Sequence, residues 1–218
     1  MQDQNFEPLP WSIKYIAGVL VALELLLSAG DYGLLPVQGL RGNAYAYGAL
    51  WPGLVWQGWV PVYPGQSITM LLSHAFLHSG IFHMAMNTVV ILALGKRLGA
   101  VLSNRQLLTV FGISAVAGGL MFLALNHGNF PVVGASGAVF GFFGVWKYFE
   151  FSARKRMGLT LMPIWQFIGT LVLLNVALYF LVSGMLAWEA HLGGFVAGWL
   201  LGMVFARRPR QTDRGPHR

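Results

Sequence analysis

Six long apolar segments divide this sequence of 218 residues, and each is close to the length that a helix needs to cross a bilayer. Only 10% of the residues are charged and 56% are hydrophobic, whereas a soluble domain has about 25% charged residues. A helix pairs its own backbone polar groups, as lipid requires, and the sequence lacks the alternating ten-residue segments of a transmembrane β-barrel. We therefore predict an all-α polytopic membrane protein. The predicted helices are 12–29, 68–94, 107–125, 136–151, 164–182 and 190–206.

The chain is organised as one membrane domain with short ends. We predict a short N-terminus at 1–11, a membrane domain at 12–206 and a basic tail at 207–218. The connection between the first two segments, about 30–67, is long for a compact bundle, and such connections are often functional. It is rich in Trp and Tyr, which prefer the headgroup level of a bilayer. We expect an irregular loop in the outer interface that serves either as an anchor or as a substrate contact.

Positive charge is distributed unevenly along the chain, which has a formal net charge of +7. Most Lys and Arg residues lie at the ends of apolar segments, which is typical of a membrane orientation signal rather than of nucleic-acid binding. We assign thirteen of the fourteen basic side chains to one side of the membrane and Arg41 alone to the other. Because cytoplasmic loops are enriched in Lys and Arg, both chain ends are predicted to be cytoplasmic. The starts of the fourth and sixth segments then lie at the outer side.

Two residues suited to chemistry lie at membrane depth. Ser136 opens the fourth segment within Gly134-Ala135-Ser136-Gly137, and His191 lies in the sixth segment. A membrane span has no structural need for such side chains, so they are candidates for function. A histidine can accept the proton of a serine hydroxyl and so activate it as a nucleophile. The pair indicates hydrolysis inside the bilayer.

Glycines spaced four residues apart predict that these two segments pack closely. They lie after the serine in the fourth segment and after the histidine in the sixth, and they are Gly137, Gly141, Gly194, Gly198 and Gly202. Small residues at this spacing allow two helix backbones to approach each other. The serine hydroxyl would then lie within hydrogen-bond reach of the imidazole.

Four polar residues of the second segment suggest a supporting role. On one straight helix, His83 and Asn87 share a face, and the pair His74 and His78 points elsewhere. Three imidazoles in this arrangement do not converge on one ion, so we predict no metal site and no cofactor. His83 and Asn87 carry N–H donors that can form an oxyanion hole with the backbone N–H of Ser136. Alternatively, these residues only join helices by hydrogen bonds.

The sequence provides no convincing third catalytic residue. Glu189 precedes His191 by two residues and points about 200° around the helix from it. We therefore predict a Ser–His dyad in which packing alone orients the imidazole. Phe140, one turn after Ser136, is a candidate to pack against the histidine ring, although an aromatic residue at this spacing is more often part of a core.

Together these motifs resemble the rhomboid intramembrane serine proteases. The residues that carry the resemblance are His74, His78, His83 and Asn87, then Gly134-Ala135-Ser136-Gly137, and then Ala190, His191, Gly194 and Gly198. The resemblance implies a six-helix rhomboid-like bundle that cleaves transmembrane substrates near their outer ends, reached from the side of the bundle. It also implies that Ser136 is the nucleophile and His191 the base.

The same resemblance implies roles for neighbouring residues. It implies that His83 and Asn87 assist the oxyanion and that His74 and His78 are mainly structural. The expected supporting residues are His78, Gly134, Gly137 and Phe140. We expect a multi-pass protein of a bacterial inner membrane whose partners are transmembrane substrates and the lipid bilayer, with no nucleic acid and no metal.

Two positions depart from the pattern of the family that the chain resembles. Many members carry Trp-Arg in the first loop where Thr69 and Met70 stand here. Many also carry Tyr where Phe140 stands, so the aromatic ring is kept and the hydroxyl is lost. Inactive relatives of this fold typically lack the serine or the histidine. The presence of Ser136 and His191 favours an active enzyme.

Two other functions are compatible with the sequence. A catalytically inactive rhomboid-like protein that binds membrane helices would use the same glycine packing. A small transporter would need ionisable residues near the middle of the membrane, and Glu24 is the only carboxylate of the apolar segments that qualifies.

Overall fold

A computed structural model describes residues 8–207 of the chain. These residues form nine α-helices and one 3₁₀ turn, and their only β-type pairing is an isolated antiparallel bridge between Leu50 and Val132. In chain order the elements are α1 (Trp11–Asp31), α2 (Leu40–Gly48), α3 (Gly53–Trp56), α4 (Gln66–Ser73), the 3₁₀ turn His74–Phe76, α5 (Ile81–Gly99), α6 (Asn104–Leu125), α7 (Ser136–Arg156), α8 (Met162–Leu181) and α9 (Trp188–Ala206). The predicted all-α class is confirmed.

Six of these helices have the length of a membrane span. Helices α1, α5, α6, α8 and α9 are long and apolar enough to cross a bilayer, which identifies an integral membrane protein. Helix α7 has 21 residues, but its second half contains Lys147, Glu150 and a basic last turn. It lies against α5, α6 and α9 and completes the predicted six-helix bundle.

The chain ends fall largely outside the described residues. The predicted N-terminal segment 1–11 is described only from residue 8, and the predicted basic tail 207–218 only at residue 207. The division into an N-terminus, a membrane domain and a tail therefore stays a prediction.

The prediction of one helix over 68–94 was wrong. Helix α4 ends at Ser73, and α5 begins only at Ile81, after the 3₁₀ turn and a short extended stretch. Gly80 has φ 147°, a conformation that residues with a side chain rarely adopt. Non-helical backbone is tolerated at membrane depth where other parts of the protein form hydrogen bonds with its N–H and carbonyl groups. Here the carbonyl oxygen of His74 accepts a hydrogen bond at 2.9 Å from the N–H of Gly134, which is distant in the sequence.

The first connection is also more regular than the predicted irregular loop. It contains α2 and α3, and its aromatic residues pair with one another, as in the stacked rings of Tyr47 and Tyr63. The buried Gln66 side chain accepts the N–H of Val62 at 2.7 Å and donates to the carbonyl oxygen of Ala46 at 2.5 Å. Internal pairing of this kind was not visible in the composition. The placement of the connection in the outer interface stays a prediction.

Helices α7 and α9 form the closest contact in the bundle. A Cβ atom built on Gly194 would collide with the carbonyl oxygen of Gly137, and one built on Gly198 would collide with that of Gly141. Helix α9 could carry a side chain at neither position without separation of the two backbones. The predicted glycine packing between the fourth and sixth segments is therefore present, and it fixes the helices that carry Ser136 and His191.

Candidate active site

The structure brings Ser136 and His191 into direct contact. Ser136 is the first residue of α7, and its Oγ lies 2.8 Å from Nε2 of His191, the fourth residue of α9. The histidine side chain is buried, and the Phe140 ring stacks on it with a centroid distance of 4.2 Å and an interplanar angle of 6°. Phe140 therefore packs against the imidazole as the sequence analysis suggested.

A third residue, which the sequence analysis missed, bonds to the other side of the imidazole. Oδ1 of Asn175 in α8 lies 2.6 Å from His191 Nδ1. The expectation that packing alone orients the histidine is therefore wrong. The available signal was an asparagine in the middle of an apolar segment, which is more often an interhelical hydrogen bond than part of a site.

Glu189 is not part of this contact. Its Oε1 accepts a hydrogen bond from Asn126 Nδ2 at 3.1 Å, at the end of α6. The helical geometry that excluded Glu189 as a partner of His191 agrees with this placement.

Contacts with three histidines hold the segment that precedes Ser136. The N–H of Ala135 donates to Nε2 of His78 at 3.3 Å, and His74 Nδ1 pairs with the carbonyl oxygen of Met70 at 2.9 Å. Gly134 has φ 127°, and a Cβ atom there would lie 2.7 Å from Cε1 of His83. Only glycine suits this position, because both the backbone conformation and the histidine ring exclude a side chain.

His83 and Asn87 lie in the first two turns of α5, beside this segment. His83 packs its ring against Gly134 and pairs through Nδ1 with Ser79 Oγ at 3.1 Å. Asn87 is buried, and its Nδ2 donates to the carbonyl oxygen of His83 at 2.9 Å. An amide group has two N–H donors, so Asn87 keeps a second donor for another acceptor. Their predicted roles at an oxyanion stay predictions.

Comparison with known proteins identifies the family. The family model described as Rhomboid domain matches residues 65–208, which is more than half of the chain. The chain belongs to the rhomboid family. The resemblance inferred from the sequence motifs is confirmed.

Individual relatives of this rhomboid are of modest identity. RHOMBOID-like protein 5 of Arabidopsis thaliana is 31% identical over 149 residues, covering 64% of this chain and 45% of that protein. The protein named Rhomboid protease GluP, from Bacillus subtilis (strain 168), is 27% identical over 186 residues, covering 83% and 33%. Rhomboid protein 1, mitochondrial, of Saccharomyces cerevisiae is 29% identical over 144 residues, covering 63% and 42%. The chain spans between a third and a half of these relatives' own lengths.

A partly buried ion pair fastens the first connection of this rhomboid. The Arg41 guanidinium contacts both Glu24 oxygens, at 2.8 and 3.0 Å, and Asp31 at 2.6 Å. The hydrogen bond to Glu24 raises the pKa of Arg41 above its usual value, so this side chain is always charged. Arg41 also donates to the carbonyl oxygen of His78 at 2.6 Å, where the hydroxyl of Tyr45 donates as well.

This ion pair explains two observations from the sequence. Arg41 joins α1, α2 and the extended stretch at His78, so the connection is fastened although Thr69 and Met70 depart from the Trp-Arg that the resemblance led us to expect. Glu24 is buried as the partner of Arg41. The buried carboxylate therefore has a structural partner, which removes the reason to consider a transporter.

An apolar cleft of about 580 Å³ reaches the histidine from the side of α8. Its walls come from α8, the first half of α9 and Phe140 of α7, and they include Val176 and Phe195. The polar residues Asn175 and His191 also line the cleft. The cleft therefore provides an apolar surface next to the serine–histidine contact.

Proposed function

We propose that this rhomboid is a serine endopeptidase that cleaves transmembrane segments inside the bilayer. The observation that supports the proposal is the 2.8 Å separation of Ser136 Oγ and His191 Nε2. A serine hydroxyl is a weak nucleophile until an adjacent base accepts its proton. Relatives named as proteases support the same activity at the level of the family.

The proposed reaction proceeds by acyl transfer in two stages. His191 Nε2 takes the proton of Ser136 as Oγ bonds to the carbonyl carbon of the scissile peptide bond. The imidazolium gives that proton to the leaving amine nitrogen, the C–N bond breaks, and an ester to Ser136 remains. The same imidazole then deprotonates a water molecule that attacks the ester, and the proton passes to Ser136 Oγ as the carboxylic acid leaves.

We assign the stabilisation of the negative oxygen to donors around the start of α7. The N–H of Ser136 lies in the first turn of a helix, where backbone N–H groups have no intrahelical acceptor. His83 and Asn87 in α5 are the side chains proposed to join it. Removal of one such donor typically lowers kcat by roughly 10²–10³-fold.

We place both chain ends in the cytoplasm and the serine in the outer leaflet. Ser136 and Arg154 lie at opposite ends of α7, about 27 Å apart along the helix axis. The basic residues near Arg154 then face the cytoplasm, in agreement with the preference of Lys and Arg for that side. A bacterial inner membrane stays a prediction, because the relatives named above come from a plant, a bacterium and yeast.

The decisive experiment replaces the proposed nucleophile and base in the purified full chain. In liposomes with a reporter protein that contains one transmembrane segment, Ser136→Ala and His191→Ala are each expected to lower cleavage by more than roughly 10³-fold. Ser114→Ala is the matched control, because Ser114 is buried in α6 and its hydroxyl has no hydrogen-bond partner among residues 8–207. Normal cleavage by Ser136→Ala would contradict the proposal.

Covalent labelling separates the enzyme from an inactive helix-binding rhomboid. A fluorophosphonate reagent reacts with an activated serine, so the wild-type chain is expected to become labelled and Ser136→Ala is not. Labelling should also depend on His191, because a serine without its base is a weak nucleophile. A protein that binds helices without cleaving them would bind the reporter segment and remain unlabelled.

A further inference from the structure

We propose that Asn175 is a positioning residue that holds His191 in the tautomer and orientation required of the base. The proposal rests on the function proposed above and adds a third member to its site. The geometry behind it is a chain of short contacts, in which Asn175 Oδ1 lies 2.6 Å from His191 Nδ1 and His191 Nε2 lies 2.8 Å from Ser136 Oγ.

The hydrogen bonds of Asn175 decide which atom donates. Its Nδ2 donates to the carbonyl oxygen of Leu171 at 2.8 Å, which leaves Oδ1 toward the imidazole. The reverse amide orientation would place two oxygens against each other, so the network assigns the amide. An amide oxygen only accepts hydrogen bonds, so Nδ1 of His191 must carry the proton. Nε2 is then unprotonated and can take the Ser136 proton.

The same contact supports the imidazole while it is charged. Once His191 has taken the serine proton, both ring nitrogens are donors, and the bond from Nδ1 to Asn175 becomes charge-assisted and stronger. The amide of Asn175 takes no proton itself. Its proposed contribution is to select one ring orientation before the reaction and to stabilise the imidazolium during it.

Other residues near the imidazole do not supply this function. Three titratable side chains could be considered as alternatives, namely His83 in α5, Glu189 in α9 and Tyr179 in α8. His83 pairs with Ser79, and Glu189 pairs with Asn126. Tyr179 lines the apolar cleft one turn beyond Asn175. Among the described residues, Asn175 has the one side chain that bonds to His191 Nδ1.

Helix α8 has few other attachments near this contact. Ile164 is its only fully buried residue, and Phe167 packs against Phe143 and Trp146. Ile164 and Phe167 lie in the first half of the helix, whereas Asn175 lies in the second. A purely structural role for Asn175, as a hydrogen bond that holds α8 to the bundle, is therefore the alternative. The test must include a measurement that a structural hydrogen bond would not change.

The test measures kcat, KM and their pH dependence for the full chain in liposomes with the transmembrane reporter. Asn175→Ala is expected to lower kcat by roughly ten- to a hundredfold with little change in KM, the usual effect of losing one hydrogen bond to a charged group. Asn175→Asp restores an acceptor at Nδ1. Its ionised carboxylate stabilises the imidazolium, so the acid limb of the kcat/KM profile should move to higher pH.

Thr170→Val is the matched control on the same helix. Thr170 is exposed, and its hydroxyl donates to the carbonyl oxygen of Gln166 within α8, so this variant should keep the wild-type kcat and pH profile. The fluorophosphonate labelling rate provides a second measurement that does not depend on substrate binding. It should fall in Asn175→Ala by the same factor as kcat.

Two outcomes would overturn the role of Asn175. One is a wild-type kcat and labelling rate in Asn175→Ala. The other is an Asn175→Asp variant that is no more active than Asn175→Ala at any pH, which indicates that the residue only holds the helix. Either result, with Ser136→Ala inactive, overturns this inference and leaves the proposed function intact. Cleavage by Ser136→Ala would instead reject the function itself.

Discussion

Helix α9 meets α7 and α8 in opposite ways. Against α7 the two backbones touch, because Gly194 and Gly198 lie on the carbonyl groups of Gly137 and Gly141. Against α8 the contact near the site is a cleft of about 580 Å³ crossed by the hydrogen bond from His191 to Asn175. Two properties of His191 therefore depend on different helices. Its distance from the serine is set by close backbone packing, whereas its orientation depends on a hydrogen bond to a helix with a single fully buried residue.

The physical reason lies in what holds helices together in lipid. Apolar side chains gain little by leaving lipid for another helix, so association depends on close packing and on hydrogen bonds. Helix α7 has small residues along its contact with α9, and α8 instead exposes large side chains such as Leu173 and Phe180. We therefore expect α7 and α9 to behave as one body and α8 to move against them.

The largest effect is expected from a side chain placed between α7 and α9. Gly198→Val would put a branched side chain where even a Cβ atom collides with the carbonyl oxygen of Gly141, and backbone cannot yield as a flexible side chain can. A displacement of about 1 Å at the reacting atoms can cost 10²-fold in rate. We expect at least that loss in kcat and a lower midpoint of thermal unfolding, measured in detergent.

Gly169→Val is the control for that variant. It is the same substitution in α8, at a position where a Cβ atom would meet nothing within 4 Å. We expect its kcat within about twofold of the wild type and its unfolding midpoint nearly unchanged, because substitutions away from packed sites are usually worth less than about 0.5 kcal/mol. Equal losses in both variants would contradict the contrast between the two contacts.

The rigid contact is the part of the molecule that the sequence predicted best. The glycine spacing is a local pattern, and so is the position of Ser136 and His191 at the starts of their segments. Together these patterns predicted that the two side chains meet. The spacing also made Phe140 a candidate to pack on the imidazole, although a core position was the commoner reading, and its ring does stack there. Such predictions succeed because close backbone packing leaves few alternatives to a small residue.

The features that escaped prediction depend on partners distant in the chain. The break after Ser73 is stabilised by the N–H groups of Gly134 and Ala135, which are about sixty residues away. Periodicity within 68–94 gives no sign of them, and it therefore favoured one continuous helix. Asn175 was missed for the same reason, because its partner His191 lies on another helix and asparagine in a span has several uses.

An intermediate effect is expected in the mobility of α8. In detergent, backbone amides of 172–181 should exchange hydrogen for deuterium roughly tenfold faster than those of 191–202, because few packed side chains protect them. Asn175→Ala should increase the exchange of 172–181 further and leave α9 unchanged. Mass spectrometry of peptides after timed labelling measures both. Equal protection in the two segments would indicate that α8 belongs to the rigid body, and the contrast between α7 and α8 as neighbours of α9 would have to be abandoned.

The smallest effect concerns the second contact that α7 makes with the imidazole. Phe140→Leu removes a stacked ring at 4.2 Å, and such ring pairs contribute about 0.5–1.5 kcal/mol, so kcat should fall by roughly two- to tenfold. Phe140→Tyr keeps the ring and should remain within about twofold of the wild type. Because the ring lies on rigid α7, the loss in Phe140→Leu should appear in kcat with no faster exchange in α8. A wild-type kcat in Phe140→Leu would show that α7 holds the histidine through the backbone contact and Ser136 alone.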